Sequence, residues 1–194
     1  MAKFQMKELV GVEPITARLG AGTGSANYVD DKEIAKAVKL VGESRYGLAA
    51  AGDPIEGFIT AVETYTADDY SIGSVRLNGR KSVTFDGLEA TPGTGTVAVG
   101  DYVVCGTVVA KGTALSAASS VKVCKATNQP GVAIVSTVAT ADTAAAVKVQ
   151  LDAVLALAAD QTANALYAWR VVSLGSAGTG AVGTTGTIKR VNAI

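Results

Sequence analysis

The chain has no histidine among its 194 residues. That absence removes Ser-His-Asp and Cys-His nucleophilic catalysis, imidazole general-base chemistry and most transition-metal sites. Charge is scarce too. Charged residues are 18% of the chain, 17 basic against 17 acidic, so nothing suggests the cationic face that displaces counterions from nucleic-acid phosphates. Aromatics are 5%, a thin supply for a carbohydrate-stacking module, which leaves Val, Ile and Leu to build the core. Two cysteines, Cys105 and Cys124, are too few for a disulfide framework, and their spacing fits no zinc or redox motif. The expectation is two reduced thiols acting as small apolar residues in or near strands. No stretch approaches the ~20 uninterrupted apolar residues of a membrane span. The start, Met1-Ala2-Lys3-Phe4-Gln5-Met6-Lys7-Glu8, lacks the apolar core of a secretory signal, so synthesis in the cytoplasm is expected.

What the chain has in abundance is glycine, 22 residues, together with Val, Thr and Ser. Val and Thr suit pleated, half-buried strands, and Gly serves turns and bulges. The length is enough to bury a core without disulfides or metals. The expected fold is all-β: a compact barrel or sandwich body with an extended N-terminal arm.

Residues 1–30 read as that arm. Phe4, Met6, Leu9, Val12 and Ile15 are scattered without a sustained period, and Pro14 interrupts any helix. The run Gly20-Ala21-Gly22-Thr23-Gly24-Ser25 reads as a hinge. Such a segment cannot bury its apolar residues on itself. Phe4, Met6, Leu9, Val12, Ile15 and Arg18 are therefore the candidate partner-binding residues.

Residues 31–194 read as the β-rich body, with a division into two sub-barrels, about 31–90 and 91–194, left open. From Asp30 to Val41 the sequence fits either a helix capped by Asp30 or Asp31, or a strand over Ala35 to Val41. Strands are expected over residues 55–62, 70–77, 81–85, 102–109, 121–125, 132–136, 146–154, 167–174 and 187–191, with one or two helical turns within 155–166. Asn78-Gly79 signals a hairpin between the strands on either side of it. Gly52-Asp53-Pro54-Ile55-Glu56-Gly57 echoes Gly100-Asp101-Tyr102-Val103-Val104-Cys105-Gly106, each a turn entering a strand.

Catalytic candidates are few. Asp30-Asp31, Glu56, Glu63 and Asp68-Asp69 are the carboxylates a hydrolase would draw on, but adjacent carboxylates point to opposite faces of a strand. Neither glycine run, 20–24 or 175–183, carries the lysine of a phosphate-binding loop. Trp169 and Arg170 could stack a ligand, but a strand-core role fits Trp169 better. The expectation is no catalytic residue, no cofactor and no metal.

The two Gly-Asp segments, with Gly131-Val132-Ala133-Ile134 and Val147-Lys148-Val149-Gln150-Leu151-Asp152, give the chain a texture that resembles tailed-bacteriophage capsid decoration, or cement, proteins. The resemblance spans most of residues 35–191. It implies a structural virion protein on the outer surface of the capsid that reinforces the shell at junctions between major capsid proteins. Its partners would be the major capsid protein and neighbouring copies of itself, as a dimer or trimer. The alternatives are another virion component, such as a head-fibre base or tail-tube subunit, and a carbohydrate-binding β module.

Overall fold

Strands form where apolar side chains alternate between bracketing turns. The computed structural model describes residues 14–20, 28–43, 45–65, 70–116, 120–127 and 168–191, and among these the fold is all-β, with eleven strands and one 3-10 turn. The expected strands 132–136 and 146–154, the helical turns within 155–166, and the resemblance segments 131–134 and 147–152 lie outside the described residues.

Five strands close a first barrel in the order β1-β3-β2-β4-β5. They are β1 Ile15–Leu19, β2 Ala37–Gly42, β3 Arg45–Leu48, β4 Gly57–Tyr65 and β5 Tyr70–Arg76. Closure depends on β1. It runs antiparallel to β5 from Ile15↔Val75 to Leu19↔Ser71, and parallel to β3 through Arg18↔Arg45 and Leu19↔Tyr46. Ala17 and Leu19 face the interior with Val29, Val38, Tyr46, Ile59 and Val75. Residues 15–19 thus belong to the fold, and so does Val29, whose N–H donates to Ser71 Oγ at 3.1 Å. The expected arm of residues 1–30 is corrected accordingly: within it, Ile15–Leu19 supply a strand that both neighbours need for their hydrogen bonds.

The ambiguous segment after Asp30 resolves into both readings in sequence. Asp30 Oδ1 accepts from Lys32 N at 2.9 Å and caps a 3-10 turn, Asp31–Glu33, after which β2 begins.

The second sheet has the order β10-β11-β6-β9-β8. Its strands are β6 Arg80–Leu88, β8 Val103–Cys105, β9 Lys122–Lys125, β10 Trp169–Ser173 and β11 Thr185–Arg190, with the short β7 Thr91–Pro92 on β6. It curls until its edges meet: Tyr102, just before β8, bridges Arg170 of β10. The chain passes from first sheet to second at Leu77–Gly79, not near residue 90. Asn78-Gly79 is therefore not a hairpin. Both edges of β5 are already taken, by β4 and β1, so β6 has no place beside it. Gly79 sits at φ +97°, and the Arg76 Nε donates to Asn78 O at 3.1 Å, folding that side chain over the crossing.

The echo between the Gly-Asp segments is a repeat of structure. Ala50-Ala51-Gly52-Asp53 and Ala98-Val99-Gly100-Asp101 are type II turns, each closed by N–H of the fourth residue to C=O of the first at 3.1 Å. The third position needs positive φ, +83° at Gly52 and +99° at Gly100, where a Cβ is penalised. Each Asp then accepts from the first residue's N–H, at 2.6 Å for Asp53 and 2.8 Å for Asp101. Each turn clasps one strand residue by both backbone groups. Gly52 N donates to Cys105 O and Cys105 N to Asp53 O; Gly100 N donates to Val171 O and Val171 N to Asp101 O. Ala181-Val182-Gly183-Thr184 clasps Phe85 in the same way.

The two sheets share a core. Phe58 of β4 meets Trp169 of β10 edge-to-face, with centroids 5.0 Å apart, in a cluster that also takes Ala37, Ala49, Ile55, Phe85 and Ile188. Arg190 of β11 reaches back to the first barrel: its Nη1 donates to Glu56 O at 2.7 Å and Leu77 O at 3.1 Å, and its Nη2 lies 3.3 Å from Glu56 Oε2.

Two substitutions test the boundary of the fold. Leu19→Ala should lower unfolding free energy by ~2–5 kcal/mol, because it opens a void in the barrel core. Ile15→Ala, on the exposed face of the same strand, should stay within about 0.5 kcal/mol. Equal effects in urea denaturation would return β1 to the arm.

Candidate functional site

An apolar cavity of about 230 Å3 lies where the two sheets meet. Ala37 of β2, Leu48 of β3 and the following Ala49 form one side; Cys105, Val108, Leu115 and Val121 form the other. These residues converge because β3 ends at Leu48 and the chain bends into the turn that clasps Cys105.

A buried ion pair holds the cavity's outer wall. Glu33 is fully buried, and its Oε2 lies 2.5 Å from Lys36 Nζ. The other carboxylate oxygen accepts the Gly112 N–H at 2.5 Å, while Lys36 Nζ donates to Ala110 O at 3.0 Å and Val109 O at 3.4 Å. The two residues face each other across a type II turn, Glu33-Ile34-Ala35-Lys36, whose third residue is Ala35 at φ +72°. A non-glycine residue there stores backbone strain on the order of 1–3 kcal/mol. The pair pins loop 109–113 to that strained turn.

Asp86 anchors the opposite rim. Its Oδ2 accepts the Thr107 N–H at 2.8 Å, and Oδ1 lies 3.7 Å from Lys122 Nζ. Burial alone would raise its pKa; the Thr107 hydrogen bonds and the Lys122 ammonium outweigh burial and hold the carboxyl below the usual range.

Both cysteines are free and buried. They lie on adjacent strands, with Cys105 opposite Val123 and Cys124 opposite Val104. Cys105 packs into the shared core; Cys124 packs with Val104 and Ala126 in a separate cluster. Burial pushes the Cys105 thiol up to about 12, with the Asp53 carboxylate adding to it. Burial, then Asp86 and Glu89, pushes Cys124 up to about 11.

Of the candidate partner-binding residues, Phe4, Met6, Leu9 and Val12 lie outside the described residues. Ile15 and Arg18 stand on β1, both exposed, so the apolar series continues onto a rigid strand of the barrel. Other large apolar side chains are exposed: Leu40 at 55% and Val99 at 60% lead them. Of the carboxylates a hydrolase would draw on, Asp30 caps the 3-10 turn, Glu56 pairs with Arg190 and Glu63 is exposed on β4. Asp68-Asp69 lie outside the described residues. Trp169 is core, while Arg170 stacks over Tyr102 at 5.7 Å and donates to Gly100 O. The sequence reading missed the Glu33–Lys36 pair. In one dimension, Asp30-Asp31-Lys32-Glu33 followed by Lys36 looks like a solvated helix start, and nothing marks one acid of the three as buried.

Comparison with protein-family models, with curated proteins and with solved structures finds no match to this chain.

Glu33→Ala should cost on the order of 3–5 kcal/mol, since it leaves the Lys36 ammonium buried without its partner. Hydrogen exchange should then rise at Gly112, while β10 and β11 change least. Alkaline pH supplies a second check. A thiol whose folded pKa is raised stabilises fully below its unfolded pKa, near 9, and loses that contribution as pH climbs towards 12. Stability should therefore be level to about pH 9 and fall above it, and Cys105→Ala should flatten the fall. Iodoacetamide should leave both cysteines of the folded chain unlabelled at pH 8 and label both in denaturant.

Proposed function

We propose that the chain is a capsid cement: a structural virion protein that binds the outside of a phage head and reinforces it where major capsid proteins meet. The observation that carries this reading is the continuity of the apolar series from the N-terminal segment onto β1. Ile15 is exposed on a strand that is itself locked between two neighbours. A rigid body with a binding segment rooted in one of its central hydrogen-bond ladders transmits load from the segment to the whole barrel. A scaffold that resists rupture needs that property; a module that merely captures a ligand does not.

The body fits the role in two further ways. The first sheet closes into a barrel and the ends of the second are joined by the Tyr102–Arg170 bridge, which among the described residues leaves few unpaired strand edges to aggregate at high copy number. Charge is low and balanced, so contact with a shell relies on apolar and hydrogen-bonded surface, and salt weakens it only slightly. The partners on this reading are the major capsid protein and sister copies of the chain. The segment gains most by pairing as an added strand, because ordering its backbone costs about as much as burying its side chains returns.

A ligand that binds only the intact lattice stabilises each site by about 2.7 kcal/mol at a hundredfold excess over Kd. Heads stripped of the chain should therefore rupture at a lower temperature than heads with it restored, at both 50 mM and about 500 mM salt. Equal rupture temperatures at saturating occupancy would refute the cement role. A gain confined to low salt would keep the role and refute the apolar account of the interface.

A further inference from the structure

We propose that the outer face of the second sheet docks an acidic helix of a partner protein, through a row of cations in register across β10, β11 and β6. Arg170 lies directly opposite Lys189, and Lys189 directly opposite Arg80. All three are exposed, while Trp169, Ile188 and Val83, at alternate positions of the same strands, are buried in the core. The row therefore stands on the solvent face. The balanced net charge of the chain hides it, because the three residues come from distant parts of the sequence.

Other surface lysines have a carboxylate beside them. Lys39 pairs with Asp53, Lys122 with Asp86 and Lys125 with Asp101. Among the described residues, no carboxylate pairs with Arg80 or Lys189. Like charges directly opposite one another on a sheet repel and destabilise it, so the row lowers its own stability until an anion meets it. The sheet offers none from within. Asp86 is the one carboxylate on these three strands, and it is buried and turned to Thr107 and Lys122. The next register row is Ser173, Thr187 and Ser82, hydroxyls that can donate to carboxylate oxygens. Arg170 is already held in place: its Nε donates to Gly100 O and its guanidinium lies over the Tyr102 ring.

Spacing selects the helix. Neighbouring strands lie about 4.8 Å apart, so the row spans roughly 9.6 Å from Arg170 to Arg80. A helix rises about 1.5 Å per residue, so carboxylates at i, i+3 and i+7 cover roughly 10.5 Å along one face. An extended segment with acids at alternate positions covers roughly 13 Å and overshoots the row. Single-stranded nucleic acid binds where open aromatic rings stack its bases, and Tyr102, the ring beside the row, is covered by Arg170. The proposal goes beyond shell binding. This contact uses charge where the proposed shell contact uses apolar surface, so ionic strength separates the two.

The test titrates the full chain, labelled with nitrogen-15, with a synthetic alanine-based helical peptide carrying glutamates at i, i+3 and i+7. Amide shifts should centre on residues 80, 170 and 189. Affinity should fall at least about fivefold between about 50 mM and about 500 mM salt. It should also fall at least about fivefold when Arg80→Gln is combined with Lys189→Gln. No binding, shifts centred elsewhere, unchanged affinity in the double variant, or equal binding of a peptide with glutamine in place of glutamate would each overturn the proposal. An oligothymidylate that occupies the row more tightly than the peptide would overturn it in favour of nucleic acid. An independent arm uses Lys189→Glu, which sets a carboxylate between Arg170 and Arg80. Its urea midpoint should rise and its peptide binding should vanish; a lower midpoint or retained binding would overturn the reading of the row as unmet positive charge.

Discussion

A buried strand must find partners for its backbone groups, and very short strands make that demand acute. β8 has three residues, all buried, and β9 four, of which the middle two are buried. Buried N–H and C=O groups left unpaired would cost more than such strands return. The Gly-Asp turns meet the demand. Ala50–Asp53 supplies the donor and acceptor that Cys105 lacks on its free side, and Ala98–Asp101 does the same for Val171. The aspartates stiffen the turns that perform this service, and the cavity, the shared core and the closure of the second sheet all follow from where the turns dock.

Strands with one face in the core were legible in sequence; their partners were not. Alternating apolar and polar residues announced β5, β9 and β11 to within about two residues of their ends, while β6 runs three residues beyond the expected 81–85. The two Gly-Asp segments looked alike because they are alike, down to the same pair of clasping bonds. Pairing partners were not legible. Asn78-Gly79 has the chemistry of a hairpin, but local chemistry says nothing about whether the edge beside it is free. β1 was hidden for a related reason: Ile15-Thr16-Ala17-Arg18-Leu19 is short, follows a proline and precedes a glycine run, so it has the composition of a linker. Its neighbours in space lie near residues 45 and 75, too far along the chain for any window to reveal.

The candidate site was legible in part. The apolar character of the N-terminal segment and the absence of histidine could be read directly. The cavity could not, since it is made of alanines, valines and a cysteine that any strand might carry. The Glu33–Lys36 pair is harder still. Its significance lies in burial, and burial comes from loop 109–113, which sits more than seventy positions away.

The way β1 is wedged between β3 and β5 also sets the tempo of assembly. Made before both of its partners, β1 has to wait for residues 45–46 and then 71–75 before its ladders can form. Until then the nascent barrel is an open sheet with two bare edges, and its closing step carries the loop entropy of nearly the whole barrel sequence. Topologies dominated by such distant pairings fold in milliseconds to seconds, not microseconds. Strands that have not yet closed are the ones most prone to exchange between chains during that interval.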